Sequence, residues 1–440
     1  MRFLPHSSVD RRDMLTSIGV SSVDELFADI PRSVAEAFEP LGLMARSEQE
    51  VVAELSGFAR RNTATETVCL AGGGIYDHYT PSLVDHILSR SEFYTAYTPY
   101  QPEVSQGTLT AMFEFQTLVC ELTGMDVANA SLYDGATALA EAVLMAERVN
   151  PTGKVAVARS LFANVRRVLD TYCWAAGIDV MELPQLPSGQ CDLSDVPGGV
   201  SAVVMQSPNA FGVIENLSDL KDRIGDALLV VSVNPISLGV LAPPGAFGAD
   251  VVVGEGQPLG LPMSFGGPLL GLFAAREKYL RRMPGRISGR TVDADGNVGY
   301  TMAAQTREQH IRRERATSNI CTNAGLCALA ATVYLAAVGA DGLRRVAESC
   351  AEKAHYLADR IIGIDGFDLA FAGPFFNEFV VRVPGSATQL HRELLEAGYL
   401  VESPEGLRAF GLNDAIRIAV TEKRTREELD RFVEGLVGSR

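Results

Sequence analysis

The stretch ADVVVGEGQPLGLPMSFGGPLLGLFAA, Ala249 to Ala275, decides the fold. Val251–Val253 is a short apolar run. A Gly- and Pro-rich turn follows it, and then a second apolar run, Pro268–Ala275. Apolar runs of this kind, bounded by turn residues, read as buried strands. A buried strand that ends in glycines lets backbone or ligand approach closely, which suits a reactive site. Yet the tip, Gly254-Glu255-Gly256-Gln257-Pro258-Leu259-Gly260, holds no nucleophile and no strong base. The loop has the form of a catalytic loop without its chemical group.

Upstream of this stretch the same pattern repeats. Val155–Ala158, Val180–Leu183, Val203–Gln206 and Leu228–Val233 read as strands, with helical or loop segments between several of them. Near-continuous apolar strands joined by crossovers imply a largely parallel sheet covered on both faces. A long helix is expected from about residue 322 to 338. Beyond it the pattern changes: Phe367–Phe371, Glu378–Val383 and Ile416–Val420 read as strands and Ala387–Ala397 as a helix. The expected organisation is an N-terminal helical arm (1–64), a large α/β domain (65–344) and a small C-terminal α+β domain (345–440). In the arm, Ser47-Glu48-Gln49-Glu50 forms a capping box ahead of Val51, Leu55 and Phe58. Such an arm packs on its own domain or wraps a partner, and both readings stand.

Two other segments bear on a site. Gly72-Gly73-Gly74 follows the apolar run Val68–Ala71, but the spacing is not GxGxxG and no amphipathic helix follows, so a dinucleotide loop is disfavoured. A helix from about Gly107, striped by Leu109, Met112, Phe113, Gln116, Val119 and Leu122, stops at Gly124. The run Asn129 to Thr137 then opens another helix. Its N-terminus could cradle a phosphate; Asp134 capping the helix itself is the competing and favoured use.

The net charge of −16 disfavours nucleic acid or an anionic membrane as partner. No apolar run is read as membrane-spanning, the N-terminus is not a secretory signal, and a cytoplasmic location is the default. The seven cysteines form no CxxC pair and the six histidines no HExxH, so free buried thiols and no metal site are expected.

Three irregular segments carry a resemblance: YQPEVSQG at Tyr100–Gly107, LTGMDVANAS at Leu122–Ser131 and REQHIRRERATSNICTN at Arg307–Asn323. They resemble the signatures of the glycine-cleavage P-protein family, glycine dehydrogenase (decarboxylating), and the likeness runs across nearly the whole chain. The length is that of one half of a double-length P-protein, and the residues resemble the N-terminal half, the subunit 1 type. The resemblance implies the aspartate-aminotransferase-like pyridoxal-phosphate (PLP) transferase fold, fold type I. That is a large α/β domain with a small C-terminal α+β domain.

PLP chemistry needs a lysine for the imine, a carboxylate at the pyridine nitrogen and donors for the phosphate. The five lysines, Lys154, Lys221, Lys278, Lys353 and Lys423, all lie outside the loop where the family's catalytic half carries its own. Counting back from Gly266-Gly267-Pro268 puts Gln257 at that position; counting forward from Asp250 gives Pro258. Neither forms an imine. Asn234, at the end of Leu228–Val233, stands about where the catalytic half has Asp.

The resemblance therefore implies a chain with no catalytic lysine, no cofactor-binding residues of its own and no metal. PLP is expected on subunit 2, with glycine as substrate and lipoyl H-protein as carrier. Candidates for a shared site or interface are His78, Tyr97, Tyr100, Arg315, Thr317 and Asn319. The basic run Arg312-Arg313-Glu314-Arg315 is a candidate contact for an acidic carrier surface. The competing readings are a self-sufficient PLP lyase or aminotransferase and a purely structural partner subunit.

Overall fold

The computed structural model describes residues 5–39 and 41–438. The chain divides into two units, Met1–Thr65 and Glu66–Arg440. The first is helical, with helices Ser8–Ile18, Arg32–Glu36 and Glu48–Arg60. The capping box read from the sequence is present. Ser47 Oγ accepts the Glu50 N–H (3.3 Å) and the Ser47 N–H donates to the Glu50 carboxylate (2.8 Å). None of these helices buries a residue. Taken by itself, the unit buries no side chain among the described residues.

In the second unit seven strands build one sheet. They are β1 (Val127–Ala128), β2 (Lys154–Ala158), β3 (Asp179–Leu183), β4 (Ala202–Ser207), β5 (Leu228–Val233), β6 (Val251–Glu255) and β7 (Gly271–Ala275). Their order is β1-β7-β6-β5-β4-β2-β3. Strands β2 to β6 run parallel, while β7 is antiparallel to β6 and to β1. All residues of β4 and β7 are buried, as expected for strands covered on both faces. The run expected from Pro268 begins as a strand only at Gly271; its pairing with β6 starts at Glu255–Gly271.

Helix α1 (Gln106–Thr123) buries Leu109, Met112, Phe115, Gln116 and Val119 and ends at Gly124, whose φ of 68° is left-handed. Helix α2 (Gly135–Val149) packs across β5, β6 and β7. A second core gathers Leu70, Leu357, Phe379, Val381, Ile416 and Phe432 around a three-stranded antiparallel sheet, Asp368–Leu369, Glu378–Arg382 and Ala415–Ala419.

The hairpin Ile287–Val292 with Val298–Ala303 has no counterpart in the sequence reading. Its tip, Asp293 to Asn297, is an exposed turn in which Asp293 accepts three hydrogen bonds. The helix expected to end near 338 is also corrected. Helix α3 (Gly325–Ile362) continues past a break at Gly339, where φ is 62°. Glycine there supplies the left-handed turn, and apolar positions resume beyond it at Leu343, Ala347 and Cys350.

This helix is long and apolar enough to cross a membrane by length and composition, which the sequence reading overlooked; half of its most apolar stretch is buried in the core. The thiols are free, and Cys321 is exposed rather than buried as expected.

Candidate active-site crevice

The parallel strands end together at one crevice. Gln206 at the end of β4, Ser232 and Val233 of β5 with Asn234, and Glu255 at the end of β6 line a cavity of about 150 Å³. The start of α2, the loop from Gly73 to Tyr76, and Phe162 close it. A crevice outside the carboxyl ends of parallel strands is where α/β sheets hold ligands. None of its lining residues is Lys, Arg or His among the described residues.

Glu255 occupies the place where a helix N-terminus would meet an anion. One carboxylate oxygen accepts the Gly135 N–H (2.9 Å); the other accepts those of Gln257 (2.9 Å) and Leu270 (3.0 Å). Unpaired N–H groups and the helix dipole favour negative charge there. Gly135 is required at this point, because a Cβ would lie 2.8 Å from the Glu255 nitrogen. Asp134 is the helix cap, accepting the Thr137 N–H at 2.8 Å.

Burial raises the pKa of Glu255 and outweighs the three N–H donors, leaving it at about 7. A group raised in the fold contributes stability that is complete below its ordinary value of 4.5 and lost as pH rises through 7. The melting temperature should therefore rise from pH 8 to pH 5. Glu255→Gln should flatten that slope by up to about 3 kcal/mol, read by thermal denaturation at several pH values.

Gln257 is buried and fully committed. Its Oε1 accepts the Tyr76 N–H (3.0 Å), and its Nε2 donates to the carbonyls of Tyr76 (3.1 Å) and Leu261 (2.7 Å). Pro258 lines the cavity. Asn234 turns inward to its own chain, accepting the Ile236 N–H at 3.0 Å.

Behind the Gly73–Tyr76 loop lies a buried ionic cluster that the sequence reading missed. Glu378 accepts from the Gly73 N–H (2.7 Å) and the Tyr76 hydroxyl (3.1 Å), and pairs with Arg417 at 3.4 Å. Arg417 also grips Glu402, donates to the Ala210 carbonyl (2.6 Å) and lies over the Phe162 ring at 5.1 Å. Burial pushes Glu378 up to about 7 against the pull of Arg417.

The six candidates from the sequence do not converge. His78 is buried and shares a 2.6 Å hydrogen bond between Nδ1 and Glu422. Burial would raise Glu422, but the His78 bond and charge, with the Tyr79 N–H, hold it at about 2. Cys350 also lies within ligand distance of both groups. Tyr97 is 79 % exposed, beside a surface hollow lined by Tyr94, Thr98 and Leu326.

Tyr100 is anchored: the buried Arg286 donates to its hydroxyl (3.0 Å) and to Thr98 Oγ1 (2.9 Å), and pairs with Glu308 at 3.2 Å. Arg286, just before the unforeseen hairpin, was not a candidate. The Arg315 side chain is exposed, with only a 3.8 Å contact to Glu314. The Thr317 N–H donates to the Arg307 carbonyl (3.1 Å), and Asn319 borders a separate surface hollow with Arg313 and Glu141.

Residues 1–436 match the sequence profile of the glycine cleavage system P-protein. The chain belongs to the P-protein family. It is 50 % identical over 444 residues to a protein of Prosthecochloris aestuarii described as probable glycine dehydrogenase (decarboxylating) subunit 1, covering 99 % of each chain. A crystal structure of glycine decarboxylase (P-protein) in inhibitor-bound form superposes with a TM-score of 0.91 at 40 % identity, covering 100 % of both chains. A sphingosine-1-phosphate lyase from Burkholderia pseudomallei, 15 % identical with a TM-score of 0.66, covers 93 % of this chain and 94 % of its own, and shares the fold alone. The fold is the PLP-dependent fold type I expected from the resemblance.

This P-protein chain does not fit the cofactor its fold implies. The crevice has no amine, the Asn234 side chain carries no charge, and the Gly135 N–H at the start of α2 already holds Glu255.

Proposed function

We propose that this chain is the cofactor-free subunit of a heteromeric glycine decarboxylase. Paired with subunit 2, it would take part in decarboxylating glycine and passing the aminomethyl group to lipoyl H-protein. The observation that carries this reading is Gln257, a buried amide spent on Tyr76 and Leu261 beside a crevice that no lysine lines. The likeness to proteins described as subunit 1 supports the same division of labour. PLP, held by the sister chain, supplies the electron sink.

This chain's part is to complete and dry the shared pocket. Low dielectric and excluded water strengthen the fixed dipoles around a developing charge. The exposed aromatic segment, with Tyr94 at 69 % and Tyr97 at 79 % exposure, is the surface we assign to the sister chain. Arg286 and Glu308 hold its Thr98–Tyr100 end in place. Arg315, Thr317 and Asn319 belong to the neighbouring segment, whose arginines suit an acidic carrier. His78, bound to Glu422, would act through the position of its loop. We place the working pair in the cytoplasm. Within the chain, we propose a large domain over 65–344 and a small one over 345–440; all of the second core except Leu70 lies beyond residue 345.

The test is reconstitution. The chain alone should show no glycine decarboxylation, and addition of subunit 2 with H-protein should restore it. Subunit 2 working at full rate without this chain would refute the proposal. In the restored complex, Tyr97→Ala with assembly intact should reduce turnover; unchanged turnover would favour a purely structural subunit.

A further inference from the structure

The mismatch between crevice and cofactor extends beyond the lost lysine. We propose that Glu255 is a built-in anion that keeps phosphate-bearing molecules, pyridoxal phosphate among them, out of this chain. Resting on the subunit role above, the same device confines the cofactor to the sister subunit.

Three segments converge on the one carboxylate: the start of α2 through Gly135, the turn after β6 through Gln257, and the approach to β7 through Leu270. A phosphate at the head of the crevice would need the Gly135 N–H at the start of α2, and Glu255 already occupies it while the Gln257 and Leu270 N–H groups fix the carboxylate there. Both carboxylate oxygens are already engaged, one by a single donor and the other by two. The contact is also close. A methyl group on Gly135 would meet the Glu255 backbone at 2.8 Å, so the helix start is packed directly on the strand end that carries the carboxylate.

Charge acts in the same direction. Asp134 and Glu255 line the cavity, and no lining residue supplies a cation to draw a phosphate in or to displace the carboxylate. At pH 8, where Glu255 is ionised, a phosphate monoester carrying nearly two negative charges would face two carboxylates at short range, in a pocket poorly screened by water. Loss of the lysine alone would leave a crevice still able to hold the cofactor without a covalent bond. Glu255 removes that remaining affinity. A carboxylate that merely caps the helix would show the same hydrogen bonds, so the two roles are separated by what its removal admits.

The experiment uses the full-length chain without its partner. The probe is pyridoxine 5′-phosphate, which lacks the aldehyde and so does not label surface lysines. Equilibrium dialysis should find no saturable binding to the unaltered protein. Glu255→Ala and Glu255→Ser, which free the three donors, should bind it at least about tenfold more tightly. Inorganic phosphate should compete, and unphosphorylated pyridoxine should gain nothing. Folded variants that bind no better than the unaltered chain would overturn the proposal.

The unaltered chain supplies a second arm that needs no variant. Its melting temperature should not respond to inorganic phosphate beyond the response to sulfate-free salt of equal ionic strength. A saturable, phosphate-dependent rise would overturn the proposal. Both arms read binding by the lone chain, so their failure would leave reconstituted turnover untouched, and lost reconstitution would leave the binding result standing.

Discussion

Arg417→Met should lower the stability of the chain by about 3–5 kcal/mol, the loss typical when one partner of a buried ionic group is removed. The guanidinium is buried and holds both Glu402 and Glu378, and it donates to the carbonyl of Ala210. Methionine fills much of the volume over Phe162 but leaves two carboxylates facing each other without a cation. Glu378 is the more costly of the two, since its side chain is almost wholly buried.

The sign of the pH dependence follows. Burial already raises Glu378 to about 7 with Arg417 present. Without the arginine it moves further up and takes a proton more readily. The loss should therefore be larger at pH 8 than at pH 5, and Glu378→Gln on top of Arg417→Met should recover part of it. Urea unfolding at the two pH values measures this. A loss under about 1 kcal/mol at pH 8 would show that the cluster contributes little to holding the crevice loop.

What could be read in the sequence follows from what the hydrophobic effect imposes locally. The strands Leu228–Val233 and Val251–Val253 are legible because both their faces are buried, which demands unbroken apolar runs. The hairpin at 287–303 is not, because most of its residues are partly or fully exposed and its alternation is weak. Gly339 reads as a helix end because glycine usually supplies one, and only the packing of Leu343 and Ala347 shows that the helix resumes.

For the crevice, the sequence showed Gln257 or Pro258 where the resemblance would place a lysine, a comparison that needs no coordinates. The role of Glu255 was not. A search for nucleophiles and bases passes over a lone carboxylate that receives hydrogen bonds from its own loop and from a helix start 120 residues away. Glu378 and Arg417 stayed hidden for a related reason. A charged residue within a strand reads as a solvent-facing position until its partner is placed beside it. The candidates His78, Tyr97, Tyr100, Arg315, Thr317 and Asn319 came from the resemblance, and the structure distributes them over several surfaces.

The lysines provide the second large expectation, an all-or-none one. Lys221 and Lys278 both pair with Asp250, at 2.6 and 3.3 Å. Lys423 pairs with Asp77 at 2.6 Å, and Lys353 donates to the Glu422 carbonyl at 2.5 Å. Lys154 is exposed at the start of β2. None lines the crevice. An imine would require one of these amines to leave its partner or its strand and reach the crevice.

The decisive measurement is the location of the cofactor in the reconstituted complex, fixed by borohydride reduction and read by mass spectrometry of the separated chains. The expected result is a phosphopyridoxyl group on a lysine of subunit 2 and none on this chain. Stoichiometric label on any of Lys154, Lys221, Lys278, Lys353 or Lys423 of this chain would contradict the account.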